Sequence, residues 1–111
     1  MNPNVLQPVL TKRFNTDAGA DGNVTTGAWK EIITALGEPS SALQVFNGSG
    51  RIFRFAFADA GEEDDNEYPY TITPGGSEIL LPINTSKNTR LAMKAVDADA
   101  TAGYLILNFL G

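Results

Sequence analysis

The chain contains no cysteine and no histidine. Without cysteine there is no disulfide framework and no thiolate nucleophile. Without histidine, the most frequent general base, the Ser–His pairing and the most frequent zinc ligand are missing together. Basic residues are also scarce, with 8 against 13 acids and a net charge of −5. A nucleic-acid partner or an anionic membrane surface would need a basic face, so both are disfavoured. No apolar run approaches the ~20 residues that span a bilayer. The N-terminus lacks the basic start and apolar core of a secretory signal, so use or assembly in the cytosol is expected.

What is present is mostly strand chemistry. A chain of 111 residues, 42% of them hydrophobic, fits one domain with a modest core, to which oligomerisation would add. The pattern divides near Ala28. Met1 to Ala28 carries Pro3, Pro8, Gly19, Gly22 and Gly27 and shows no hydrophobic rhythm. That density of helix breakers predicts an extended N-terminal arm. Its sparse apolar residues, Val5, Leu6, Val9, Leu10 and Phe14, are unnecessary in a purely solvating tail. They are the candidate anchors of an arm that orders on a partner.

Trp29 to Gly111 reads as short strands. Trp29, Ile32, Ile33 and Leu36 have helical spacing, but Ile32, Ile33 and Thr34 favour a strand, and the strand reading is preferred. LQVFN (43–47) and RIFRFAFA (51–58) alternate around Gly48-Ser49-Gly50, which predicts a hairpin with Phe53, Phe55 and Phe57 in the core. Pro69 marks YPYTIT (68–73) as an edge strand, and Pro82 in SEILLPI (77–83) suggests an edge or a strand end. RLAMKAV (90–96) points Leu91, Met93 and Ala95 inward. YLILNFL (104–110) points Leu105, Leu107 and Phe109 inward, leaving Tyr104, Ile106, Asn108 and Leu110 outside. That outer row is too apolar for bulk water and should be covered by another strand or another subunit; under the second reading Tyr104, Ile106 and Leu110 are candidate subunit-interface residues. The expected fold is all-β, a small antiparallel sandwich or barrel-like module over 29–111 with the arm over 1–28.

Few groups suggest chemistry. Glu62, Glu63, Asp64, Asp65 and Glu67 could gather a hard cation, but the spacing is not that of a calcium loop. A solvated loop tip is the simpler expectation. Adjacent carboxylates on one loop do not give the fixed separation of a glycosidase pair. Gly48-Ser49-Gly50 lacks the Lys-Ser/Thr of a phosphate loop. Trp29, Tyr68, Tyr70 and Tyr104 could stack on sugars, but they are scattered through different strands. No catalytic residue, metal or cofactor is assigned.

Four segments, ITALG (33–37), LQVFNGSGRIFRFAF (43–57), YTITPGGSEILLPI (70–83) and TRLAMKAVDADATAGYLILNFLG (89–111), together resemble small virion proteins of tailed bacteriophages. The order of the hairpin, the PGG turn and the last two strands carries the resemblance. The acidic stretch Gly61 to Glu67 has no counterpart in that pattern. The resemblance implies a capsid decoration (cement) protein, a homotrimer on the virion surface that clamps neighbouring copies of the major capsid protein after assembly in the host cytoplasm. Under it the arm docks on the capsid, and deleting Met1 to Asn23 should leave the fold intact while abolishing attachment. A tail- or fibre-associated adaptor, or receptor-binding module, is the first alternative, and a carbohydrate-binding module the second.

Overall fold

The computed structural model of the chain describes residues 7–70 and 78–111. Val5, Leu6 and the Pro74-Gly75-Gly76 turn lie outside them. Eight strands follow in order: β1 (Pro8–Asn15), β2 (Lys30–Ile33), β3 (Ser40–Asn47), β4 (Phe53–Ala56), β5 (Pro69–Tyr70), β6 (Glu78–Thr85), β7 (Leu91–Ala95) and β8 (Tyr104–Leu110). They form two four-stranded antiparallel sheets, ordered β1-β8-β3-β6 and β2-β7-β4-β5. The two sheets pack as a sandwich, as the strand alternation predicts. Among the described residues no helix is long and apolar enough to cross a membrane.

Alternation builds the core. Leu105, Leu107 and Phe109 of β8 and Leu43 and Val45 of β3 face Phe53, Phe55, Leu91 and Met93 across the sheets, and all are essentially inaccessible. Each such side chain contributes about 1.5–3 kcal/mol through burial. Phe57 packs half-buried against this cluster. The segment WKEIITAL supplies β2, a strand, with Ile32 and Ile33 buried. β5 and β6 are edge strands, where a proline removes no needed ladder bond.

The predicted hairpin does not form. β3 lies in the first sheet and β4 in the second, so residues 48–52 make a corner between sheets. Asn47, 1% exposed, organises that corner. Its Nδ2 donates to the Arg51 carbonyl at 2.6 Å, and its Oδ1 accepts from the Ser49 N–H and hydroxyl at 2.9 and 2.6 Å. The Gly48 N–H donates to the Tyr104 carbonyl at 2.8 Å, and Gly103, at φ +79°, approaches so closely that a Cβ would strike the Gly48 carbonyl. Beyond the corner, Asp97 Oδ1 accepts the Ile52 N–H at 3.1 Å. That bond comes first among the causes that hold its carboxyl below the usual carboxylate range. The Asn-Gly turn signal is therefore satisfied by side-chain hydrogen bonds rather than by strand pairing.

The expected arm is also corrected. From Gln7 onward it belongs to the sandwich. β1 pairs with β8 along its length, from Pro8 opposite Leu110 to Asn15 opposite Tyr104. Thr16 is fully buried and donates its hydroxyl to the Ala102 carbonyl at 2.6 Å. Val24 is fully buried and bridges to Ala100. The prolines and glycines excluded a helix correctly, but they did not exclude an edge strand followed by a 3₁₀ turn, Gly19–Asp21.

Two outcomes test this architecture. A chain of residues 29–111 lacks β1 and Val24 and is expected to lose its cooperative thermal transition in circular dichroism; a melt like that of the full chain would show an independent arm. Asn47→Ala leaves the corner carbonyl and amide unpaired and should cost about 2–3 kcal/mol in urea unfolding.

Candidate functional site

The outer face of the first sheet is the part of the molecule best suited to contact. The antiparallel register lines up side chains from all four strands there. Thr11 of β1 lies opposite Asn108 of β8, which lies opposite Gln44 of β3. A hydrogen-bonded row crosses the sheet: Thr11 Oγ1 donates to Asn108 Oδ1 at 3.0 Å, Asn108 Nδ2 to Gln44 Oε1 at 3.4 Å, and Gln44 Nε2 to Glu78 Oε2 at 2.8 Å. Polar groups that satisfy one another in this way demand less from water when a partner covers them.

Beside this row lies an aromatic and aliphatic patch. Arg13, Ile106 and Phe46 occupy successive strands in register. The Arg13 guanidinium sits 4.1 Å from the centre of the Tyr104 ring, and Phe46 and Tyr104 are 5.7 Å apart. A shallow groove of about 310 Å³ is lined by Gln44, Phe46, Glu78, Tyr104, Ile106 and Asn108. Leu80, 58% exposed, projects from edge strand β6 on the same face, opposite Gln44. This face offers shape, apolar area and paired dipoles. It brings together no nucleophile with a base and no pair of facing carboxylates.

The sequence-predicted interface residues Tyr104, Ile106 and Leu110 all lie on this face, half-buried by the side chains of neighbouring strands. Phe46, Gln44, Glu78 and Arg13 were missed as their companions. Alternation within β3 could have assigned Gln44 and Phe46 to an outer row, but only the pairing of β3 with β8 places them beside Ile106. The predicted docking residues fare differently. Val9, Leu10 and Phe14 are packed half-buried against this chain's own core and are not free to anchor elsewhere. Trp29, Tyr68 and Tyr104 do not assemble a common platform. Trp29 lies near Lys94 on the second sheet, Tyr68 meets Phe57 edge to face, and Tyr104 is on the first sheet.

The outer face of the second sheet is covered by the acidic segment, which is not a free loop tip. The chain leaves β4 at Phe57 and returns beside it, where the Phe55 N–H donates to the Tyr68 carbonyl. In between it crosses over β4 to reach β7, because Glu63 lies 3.5 Å from Arg90 and Asp65 3.1 Å from Lys94. Arg90 also donates to the Ala58 carbonyl at 3.1 Å and pairs with Glu31 at 2.7 Å. Glu31 is held below the usual carboxylate range by the Arg90 hydrogen bond first and the Thr34 hydroxyl second. Ala56 and Ala92 face outward opposite each other, yet both are fully buried. Their small side chains leave room for the crossing strap. Among the described residues no three carboxylates gather as a metal site.

No protein family, curated protein or solved structure gives a significant match to this chain.

Within the strap the Glu67 carboxyl is raised, by burial first and by the charge of Asp64, against the opposing Phe57 N–H. Its folded pKa exceeds its unfolded value, so the stability it contributes is complete below the unfolded value and is lost as pH rises through the folded one. Glu67→Gln is therefore expected to raise the melting temperature at neutral pH by about 1–3 °C. The difference should narrow toward about pH 4, where the carboxyl of an unfolded chain is itself protonated. An unchanged difference at both pH values would show that Glu67 carries no such penalty.

Proposed function

We propose that this protein is a structural binding module of a bacteriophage virion, a capsid decoration protein that trimerises through the outer face of its first sheet and stabilises the head. The observation that carries the proposal is the patch of Phe46, Tyr104 and Ile106, with exposed Leu80 nearby, beside a row of polar side chains already paired with one another. Such a face loses little when water leaves it, and apolar contacts there add to the modest core of a chain this size. The resemblance of residues 33–111 to phage virion proteins supplies the biological setting.

Trimerisation fits the role. One copy offers a small contact, whereas three joined copies bind a repeating lattice with high effective concentration. The paired register of β1, β8, β3 and β6 makes the face a rigid plate, so little ordering entropy opposes association. The arm no longer enters as the docking element, since Val9, Leu10 and Phe14 are used within the fold.

Size exclusion with light scattering should give a trimer at micromolar concentration. Ile106→Asp places a charge in the groove of each copy and is expected to yield a folded monomer with a melting curve that no longer depends on protein concentration. A stable wild-type monomer would overturn the trimer. Particle composition decides the setting: a decoration protein is present in hundreds of copies per particle, an adaptor in few.

A further inference from the structure

We propose that the acidic strap is a built-in competitor, and that the outer face of the second sheet takes an acidic peptide segment of a partner chain when the strap leaves it. This rests on the ion pairs of the second sheet and is independent of the virion reading.

Three cations frame the face. Arg90 just before β7 and Lys94 within it are four residues apart on the same row, and Arg54 of β4 lies directly opposite Lys94. Between them Ala92 and Ala56 form a floor of methyl groups. Glu31 of β2, opposite Ala92, occupies one side of Arg90, so the trough is small at its centre and offers Lys94, Arg54 and the other side of Arg90 to an extended chain bearing carboxylates. The strap is one such chain. Glu63 answers Arg90 and Asp65 answers Lys94, with the carboxylates two residues apart in the strap and the cations four residues apart on the sheet.

The fit of the strap is incomplete. The Asp65 side chain is 56% exposed, so its pairing with Lys94 is well screened by water. The Arg54 Nε is buried with no hydrogen-bond partner among the described residues. Glu62 and Asp64 remain exposed, and the charge of Asp64 presses on Glu67. A cover held to β7 by two ion pairs and the Arg90 hydrogen bond to the Ala58 carbonyl, with repulsion inside it and a donor left over, can be exchanged for a better one. Closure of the strap lowers the apparent affinity of any competitor by the fraction of molecules that are open.

The test uses the full chain and a labelled synthetic peptide with the sequence of residues 59–68, read by fluorescence anisotropy at low salt. A control peptide carries the amide of every carboxylate. Wild-type protein should bind the acidic peptide weakly, and E63Q/D65N, whose strap is loosened, about tenfold more tightly. Adding K94Q to that variant should remove the gain. Equal affinity of wild type and E63Q/D65N, or equal binding of the control peptide, would overturn the proposal. Hydrogen exchange on wild-type protein provides a second measurement that does not depend on how the variants fold. Raising salt to about 0.5 M should accelerate exchange in residues 59–67 while leaving β4 and β7 protected, because ion pairs near the surface are screened. No acceleration would equally overturn it. Failure of trimerisation would leave these outcomes unaffected.

Discussion

The pairing of β8 on both sides is the constraint on which the rest of the structure depends. Its seven residues hydrogen-bond to β1 on one edge and to β3 on the other. Its inner row, Leu105, Leu107 and Phe109, is the centre of the core, while its outer row supplies Tyr104 and Ile106 to the groove. β1 and β8 are separated by most of the chain, so the loop-closure cost is met before the core can reward it. The corner at Asn47 and the close approach of Gly103 hold β8 in register from its start. Shifting β8 by one residue would exchange its two rows, placing Asn108 in the core and Leu107 outside.

Among the described residues, successive strands alternate between sheets, with β4 and β5 the one consecutive pair that shares a sheet. This explains what was legible in the sequence and what was not. Period-two alternation reports which side chains share a row, and it identified Phe53 and Phe55 in β4 and Leu91 and Met93 in β7 as inward. Proline reports a missing donor; it marked β5 as an edge and left β6 an edge or a strand end, and both are edges. Neither signal reports the partner of a strand. Gly48 to Gly50 therefore looked like the turn of a hairpin, because turn chemistry is the same whether the chain doubles back in one sheet or passes to the other. Asn47 decides the matter through its hydrogen bonds, and no local pattern shows a buried asparagine.

Residues 7–28 differ from the expected arm for a related reason. An edge strand needs only one apolar row, and in β1 that row is interrupted by Lys12, opposite Leu107, and by a shift of register between Pro8 and Leu10. Leu10 and Phe14 then look isolated in sequence, although they meet Phe109 and Leu105 across the ladder. Thr16 and Val24 give no sequence warning of complete burial. Of the docking residues inferred from this region, Val9, Leu10 and Phe14 were apolar for a reason, but the reason was the chain's own core. The outer-row residues Tyr104, Ile106 and Leu110 were legible because β8 alternates without a break.

The two outer faces solve the problem of an exposed sheet in opposite ways. On the first sheet, polar side chains pair with one another and leave an aromatic patch open, so no segment of the described chain needs to cover it. On the second, like charges stand opposite each other at Arg54 and Lys94, an arrangement that disfavours the bare face. The strap answers with carboxylates drawn from its own sequence. This accounts for two of the acids concentrated in that loop: Glu63 and Asp65 each have a cation within reach. It also explains the alanines at 56 and 92, since any larger side chain on that floor would lift the strap and lengthen both ion pairs. Removing Glu63 and Asp65 would therefore disturb the second sheet before it changed anything on the first.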